Sequence, residues 1–393
     1  MNQAFSTLKP GWKTVKFSDV VNLNRDRVAD PLAEGTERYV GLEHITPEDL
    51  RIRSWGLVAE GTTFSNYFKP GQVLFGKRRA YQRKVAVADF DGVCSGDIYV
   101  LEPKDPAVLL PELLPFICQT EGFYEHAVGT SAGSLSPRTN RTQLAKYEFP
   151  LPPLDEQRRI AEVFSSADQL IYSLMECLIS ANSLLASIRK AEFDPEKYPP
   201  RMLRELCSDG AGIQIGPFGA QLHKSDYVEE GIPVVMPANM NDEKIDTSNI
   251  ARITEEKADE LKTHRVLVDD ILLPRRGELD RRAFIEKENE GWLCGTGSLR
   301  VGVDNSILPR AVFHALASSH AVRWLIGNVV GTTMPNLNSK IVAKIPIALP
   351  PEPRLTEVVE KLVVLKRQIG ILEIRFEKAQ EMKNKLLLRT LGV

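Results

Sequence analysis

The sequence predicts an α+β protein with a pseudo-twofold internal repeat: two similar mixed domains separated by two long helices that pair as an antiparallel coiled coil. Three observations predict it. The first is duplication. Val73-Leu74-Phe75-Gly76-Lys77-Arg78 returns 198 positions on as Ile271-Leu272-Leu273-Pro274-Arg275-Arg276, and Leu151-Pro152-Pro153 returns at the same offset as Leu349-Pro350-Pro351. Cys94-Ser95-Gly96 and Gly129-Thr130-Ser131 return 200 and 202 positions on as Cys294-Gly295-Thr296 and Gly331-Thr332-Thr333. The second is the order within each copy, where short β-type runs precede a helical pattern. The third is the sustained heptad pattern after each Leu-Pro-Pro step. Two copies in one chain form a pseudo-dimer, which suits a target that also has two halves, DNA above all.

Bulk composition narrows the classes. A chain of 393 residues is too long for one core. A hydrophobic share of 43% and a charged share of 26% are those of a globular protein. Net charge is −2, so any DNA-facing charge must be local and offset elsewhere. The five cysteines (94, 118, 177, 207 and 294) include no C-x-x-C pair. That argues against a disulfide framework and a zinc site and suits a reducing, cytoplasmic setting. Residues 1–12 lack an apolar leader core, and no run reaches the roughly 18 apolar residues of a membrane span. No membrane partner is expected.

Four segments follow along the chain: a first domain over 1–150, a central helix over 151–195, a second domain over 196–347 and a C-terminal helix over 348–393. The β-type runs fall at 73–75, 84–88 and 97–101, then at 232–236, 266–273 and 298–303, broken by Gly, Pro, Asn and Asp turns. Apolar stretches at 107–119 and 309–326 read as short helices. In the central helix, apolar or small residues recur from Ile160 through Val163, Ala167, Leu170, Leu174, Cys177, Ala181 and Leu184 to Ile188. Phe164, Ile171, Leu178 and Leu185 add a second stripe. Asp155 and Glu156 suit its N-terminus, and Asp194-Pro195 ends it. The C-terminal helix repeats the register from Leu355 to Leu386, with Lys383 its one break and Pro353 at the first turn. Each helix spans about 37 residues, or roughly 55 Å.

Two kinds of candidate site recur in both copies. The basic clusters are Lys77, Arg78, Arg79, Tyr81, Arg83 and Lys84, then Arg275, Arg276, Arg281 and Arg282. Each follows a strand, so the guanidinium groups are expected to splay outward. There arginine can grip phosphate or the guanine edge with paired hydrogen bonds, and Tyr81 can stack. A lone cluster of this kind reads better as solvated surface, but recurrence favours DNA. The polar segments are 134–141, with Ser136, Arg138, Asn140 and Arg141, and 336–340, with Asn336, Asn338 and Lys340. Short donors mixed with cations can touch phosphate and base edges, or simply satisfy their own loop; the two readings weigh evenly.

Catalytic motifs are missing. Gly71-x-x-x-x-Gly76-Lys77 is followed by Arg78 rather than the Ser or Thr of a P-loop. Gly295-x-Gly297 lacks the third glycine of a dinucleotide fingerprint. No Asn-Pro-Pro-aromatic tetrapeptide and no Pro-Asp step occur, and the six histidines are scattered.

The stretch from Leu74 to Ala86, Gly216-Pro217-Phe218-Gly219-Ala220-Gln221-Leu222, and above all Pro-Leu-Pro-Pro-Leu-Asp-Glu-Gln-Arg-Arg-Ile at 150–160 resemble segments of the specificity subunits of type I restriction–modification enzymes. The likeness runs along essentially the whole chain. Copy two departs from it, with Arg354-Leu355 where copy one has Glu156-Gln157. The resemblance implies two target-recognition domains held apart by the helices, each reading half of a bipartite sequence in double-stranded DNA. It implies methylation subunits docked on the helices and, where present, motor-endonuclease (restriction) subunits. No cofactor is expected in this chain; S-adenosylmethionine, ATP and magnesium would sit on partner subunits. The competing readings are a self-contained methyltransferase or nuclease, against which the missing motifs count, and a protein-only coiled-coil scaffold.

Overall fold

The computed structural model describes residues 8–208, 212–218, 221–304, 306–329 and 336–391. The repeat landmark Gly331-Thr332-Thr333 and the Gly219-Ala220 step lie outside those residues. The chain divides into two units, Met1–Glu176 with Glu373–Val393, and Cys177–Leu372. Both boundaries fall inside long helices, Leu154–Glu192 and Arg354–Thr390.

In the first unit, Val21–Asn24, Ile98–Pro103, Val73–Gly76 and Val85–Val87 form an antiparallel sheet in that order. A second sheet orders Gly56–Leu57, Arg38–Val40, Gly92–Cys94 and Asn66–Phe68, with Arg38–Val40 parallel to Gly92–Cys94. Lys13–Lys16 pairs with Glu148–Leu151 beside the central helix start. The strand Val73–Gly76 is buried along its whole length, which explains its unbroken apolar run and removes the P-loop reading. Phe17, Phe75, Phe123, Tyr147 and Phe149 interlock in one aromatic core, joined by Ile160, Phe164, Leu387 and Leu391 from the two helices.

The second unit repeats the plan. Ile213–Ile215, Ser298–Val301, Ile271–Pro274 and Ala283–Phe284 form one antiparallel sheet, and Ile232–Val235 runs parallel to Leu293–Cys294 in the other. Its core gathers Leu203, Ile271, Phe284 and Phe313 with Leu185, Leu355, Val358 and Leu362 of the helices.

Several expectations shift. The run 266–273 is strand only over Ile271–Pro274, because Asp270 turns back to accept the Leu267 amide at 2.7 Å. The stretch 107–119 is α-helical only over Leu114–Ile117, since Pro106, Pro111 and Pro115 cannot sustain the amide ladder. An unpredicted helix, Glu121–Gly129, follows, capped by the Thr120 hydroxyl. The stretch 309–326 is two helices, Pro309–Leu316 and Ser319–Gly327, because Ser318 caps the second.

The helices are antiparallel in each unit. In the first, Lys383 Nζ meets Asp168 Oδ1 at 3.0 Å. In the second, the Arg354 guanidinium grips the Glu192 carboxylate, with Nε donating at 3.1 Å. The heptad stripe is covered only in part: Ile160 is buried, but Val163, Leu170 and Leu184 remain more than half exposed, and the second stripe through Phe164 and Leu185 carries the cores. In Leu154–Glu192 an 18-residue window averages a hydropathy of 1.4, which by length and composition alone is that of a membrane span. Leucines and isoleucines with Glu176 as the one charge between Leu170 and Ile188 keep that average high, while Ser and Asn interrupt any continuous apolar run.

Candidate nucleic-acid interface

The structure brings the basic cluster and the polar segment of each copy together. In the first unit, Lys77 O accepts from Thr139 N at 2.8 Å, and Arg79 N donates to Pro137 O at 2.8 Å, with Arg78 and Arg138 bridged between. In the second, Arg275 O accepts from Leu337 N at 2.8 Å, and Arg276 bridges to Asn336. These pairs lie 198 positions apart, strand for strand and arm for arm. The offset equates Arg138 with Asn336 and Asn140 with Asn338. Both asparagines cap short helices, Arg141–Leu144 and Ser339–Val342, by accepting amide hydrogens at 2.9 Å. Their side chains are thus committed to local structure, and the exposed cations beside them are Arg141 and Lys340.

Around the first arm, Arg78 and Arg79 both donate to the Ser136 hydroxyl, at 3.2 and 3.3 Å. Asp97 collects Arg138 Nε at 2.8 Å and Arg78 Nη1 at 3.4 Å. Burial pushes the Asp97 carboxyl up, but Arg138 and Arg78 outweigh it and hold it below the ordinary carboxylate range. Lys77 sits over the Tyr99 ring at 4.8 Å, and partial burial lowers its pKa. Tyr81 is 54% exposed and free to stack.

Arg79 holds a left-handed backbone, φ 54°, where the second copy has Gly277, φ 82°. That conformation costs a side-chain-bearing residue about 1–2 kcal/mol.

Not every predicted cation splays outward. Arg83 is drawn to Glu121 at 2.6 Å and lies over the Tyr124 ring, and Lys84 donates to Leu42 O at 2.6 Å. Arg281 pairs with Glu278 at 2.5 Å. Arg282 is the clearest correction: it is 9% exposed, and burial pulls its pKa down to about 10 despite Asp242 nearby. Among the described residues Arg79, Arg141, Arg275, Arg276 and Lys340 form no ion pair, Arg78 and Arg138 share Asp97, and Arg83, Lys84 and Arg282 hold the loops in place. Sequence reasoning missed Asp97, Tyr99, Glu121 and Asp242, because nothing in their spacing shows which cation they will meet. Among the described residues no cluster of His, Cys, Asp and Glu could hold a metal ion.

The helix start explains the Pro-Leu-Pro-Pro motif. Glu156 accepts from the Trp12 indole at 2.8 Å. The buried Gln157 donates to Val108 O and Pro152 O and accepts from Leu110 N, each at 2.9 Å. The pair sews the helix N-terminus to its domain. In copy two the matching Arg354 forms the Glu192 ion pair instead, and Leu355 is buried.

Residues 9–180 match the family described as the type I restriction modification DNA specificity domain. Over that stretch the chain is similar to the specificity subunits of type I restriction–modification enzymes. It is 28% identical over 209 residues to the type I restriction enzyme EcoDI specificity subunit of Escherichia coli, a match spanning 50% of this chain and 44% of that relative's length. It is 19% identical over 402 residues to the MjaVIII specificity subunit of Methanocaldococcus jannaschii, covering 96% of this chain and 91% of that one. The fold is that of a type I restriction–modification S subunit from M. genitalium, with a TM-score of 0.65 at 16% identity and 98% coverage of each chain. A chain from a type I restriction–modification system studied for complex assembly and conformational transition gives 0.53 at 20% identity, over 97% of this chain and 98% of that one.

Proposed function

We propose that this chain is the non-catalytic specificity subunit of a type I restriction–modification complex. It binds double-stranded DNA sequence-specifically, reading a bipartite target with one domain per half-site. The observation that carries this reading is the contact that recurs in both units, the Lys77–Thr139 and Arg275–Leu337 hydrogen bonds each at 2.8 Å, with arginines beside them. Arginine on a strand-end loop delivers bidentate contacts to phosphate or guanine.

Methylation subunits dock on the helices. In the first unit a cavity of about 700 Å³ opens between them, floored by Val163, Leu170, Leu174 and Met382 and rimmed by Arg375, Lys378, Lys385 and Arg389. An apolar floor with a basic rim suits an amphipathic helix carrying acidic flanks. S-adenosylmethionine, and ATP with magnesium where a restriction subunit joins, belong to those partners.

The test is a gel shift of the full chain with its co-purifying subunits, on the duplex methylated in the host genome, against excess nonspecific competitor. Retained binding only to duplexes carrying both half-sites supports the reading. Binding that ignores sequence, or no duplex binding, favours the scaffold.

A further inference from the structure

The second unit holds a buried ionic cluster that none of the arms uses directly. At the turn after the Met240–Asn241 strand, Asp242 takes a left-handed backbone, φ 50°. Three cations converge on its carboxylate from three elements. Lys366 of the C-terminal helix donates to Oδ2 at 2.7 Å. Arg189 of the central helix lies 3.7 Å from Oδ2, and Arg282, at the end of the basic loop, lies 3.8 Å from Oδ1. Glu243 stands 3.9 Å from Arg189, and the fully buried His314 is 3.1 Å from the same guanidinium.

The first unit also sets an acidic residue on a left-handed turn against a loop arginine. Glu48, φ 62°, donates its amide to Arg83 O at 3.1 Å and faces Arg83 Nη1 at 3.8 Å. Arg83 and Arg282 both lie just before the strand that closes the loop, Val85–Val87 and Ala283–Phe284. An acidic residue on a left-handed turn thus meets the last arginine of the reading loop in both units. In the second unit the same carboxylate also meets both helices.

Energetics does not explain three cations on one carboxylate. Buried ionic clusters roughly break even against apolar packing, and their best-attested use is to fix register. We infer that Asp242 is a positioning residue, tying the basic loop of the second domain to both long helices so that Arg275 and Arg276 are presented at the angle their half-site requires. The inference rests on the proposed DNA-recognition function.

The test compares wild-type and Asp242→Asn complexes on three duplexes: the methylated bipartite target, and versions with its spacer one base pair shorter or longer. Asparagine keeps the shape and an acceptor for Lys366 but removes the charge that gathers Arg189 and Arg282. Wild type should discriminate against the altered spacers, and D242N should lose at least tenfold of that discrimination while the base preference of each half-site stays unchanged. Lys366→Met, which cuts only the tie to the C-terminal helix, should relax spacer choice in the same sense and decides the matter if D242N does not fold. Wild-type spacer discrimination in both variants overturns the inference. So does a uniform loss on all three duplexes with a lowered melting temperature, which is the signature of a purely structural role. A wild-type complex with no bipartite preference sinks the functional reading itself, and this inference with it.

Discussion

At the scale of single residues, charge is sorted by what faces it. Arg79 stays in a left-handed conformation that its counterpart Gly277 adopts freely. Arg79→Gly should therefore leave the unfolding free energy within about 1 kcal/mol of wild type, since relief of strain is offset by glycine's greater chain entropy. The same variant should weaken DNA binding through the first half-site, and denaturant unfolding beside a gel shift reads both. If binding holds at the wild-type value, the strained arginine has no part in the interface. Asp270 offers a pH test. It is 5% exposed, and burial pushes its pKa up to about 6 against the Leu267 amide and Arg300 at 3.5 Å. The folded state therefore binds a proton that the unfolded chain, at about 3.9, has already released. This contribution is full below pH 4 and is lost as pH rises to 6, by about 3 kcal/mol. Asp270→Asn should flatten the wild-type decline in that window; equal slopes from pH 4 to 6 would show that Asp270 is not the group responsible.

At the scale of elements, the helix pair in the first unit turns on one carboxylate. Asp168 meets Lys383 at 3.0 Å and Arg51 of the recognition domain at 3.0 Å, while Arg51 lies over the Tyr172 ring. Lys383 is 5% exposed, which explains why a lysine breaks an otherwise apolar heptad register. Asp168→Ala strands a buried ammonium and should cost about 3–5 kcal/mol. Lys383→Met leaves Asp168 paired with Arg51 and restores the apolar stripe, so it should be near neutral. Urea unfolding of both variants checks the asymmetry, and equal losses would show that the pair contributes as a unit rather than through the stranded lysine.

At the scale of the whole molecule, duplication predicts independent readers. Exchanging residues 8–150 for those of a relative should change one half of the methylated sequence and leave the other intact. The donor must keep backbone positions equivalent to Val108 and Leu110, because Gln157 closes the helix start onto them at 2.9 Å. Methylation mapping of genomic DNA from the hybrid is the measurement, and a change in both halves would reject separate readers.

The duplication, the α+β class and both long helices were legible in the chain because period and offset are one-dimensional properties. An offset of 198 and a heptad stripe survive without knowledge of any neighbour. The recurrence of the basic loop was legible for the same reason. What only the tertiary structure decided is which cations stay accessible. Arg78 and Arg282 look alike in sequence, yet one lies on the arm beside Ser136 and the other is buried against Asp242. Their fates depend on carboxylates distant in sequence, and on turns such as those at Glu48 and Asp242 that bring those carboxylates near. Spacing along the chain carries no information about such encounters, because burial and charge pairing are set by contacts between segments that only folding brings together.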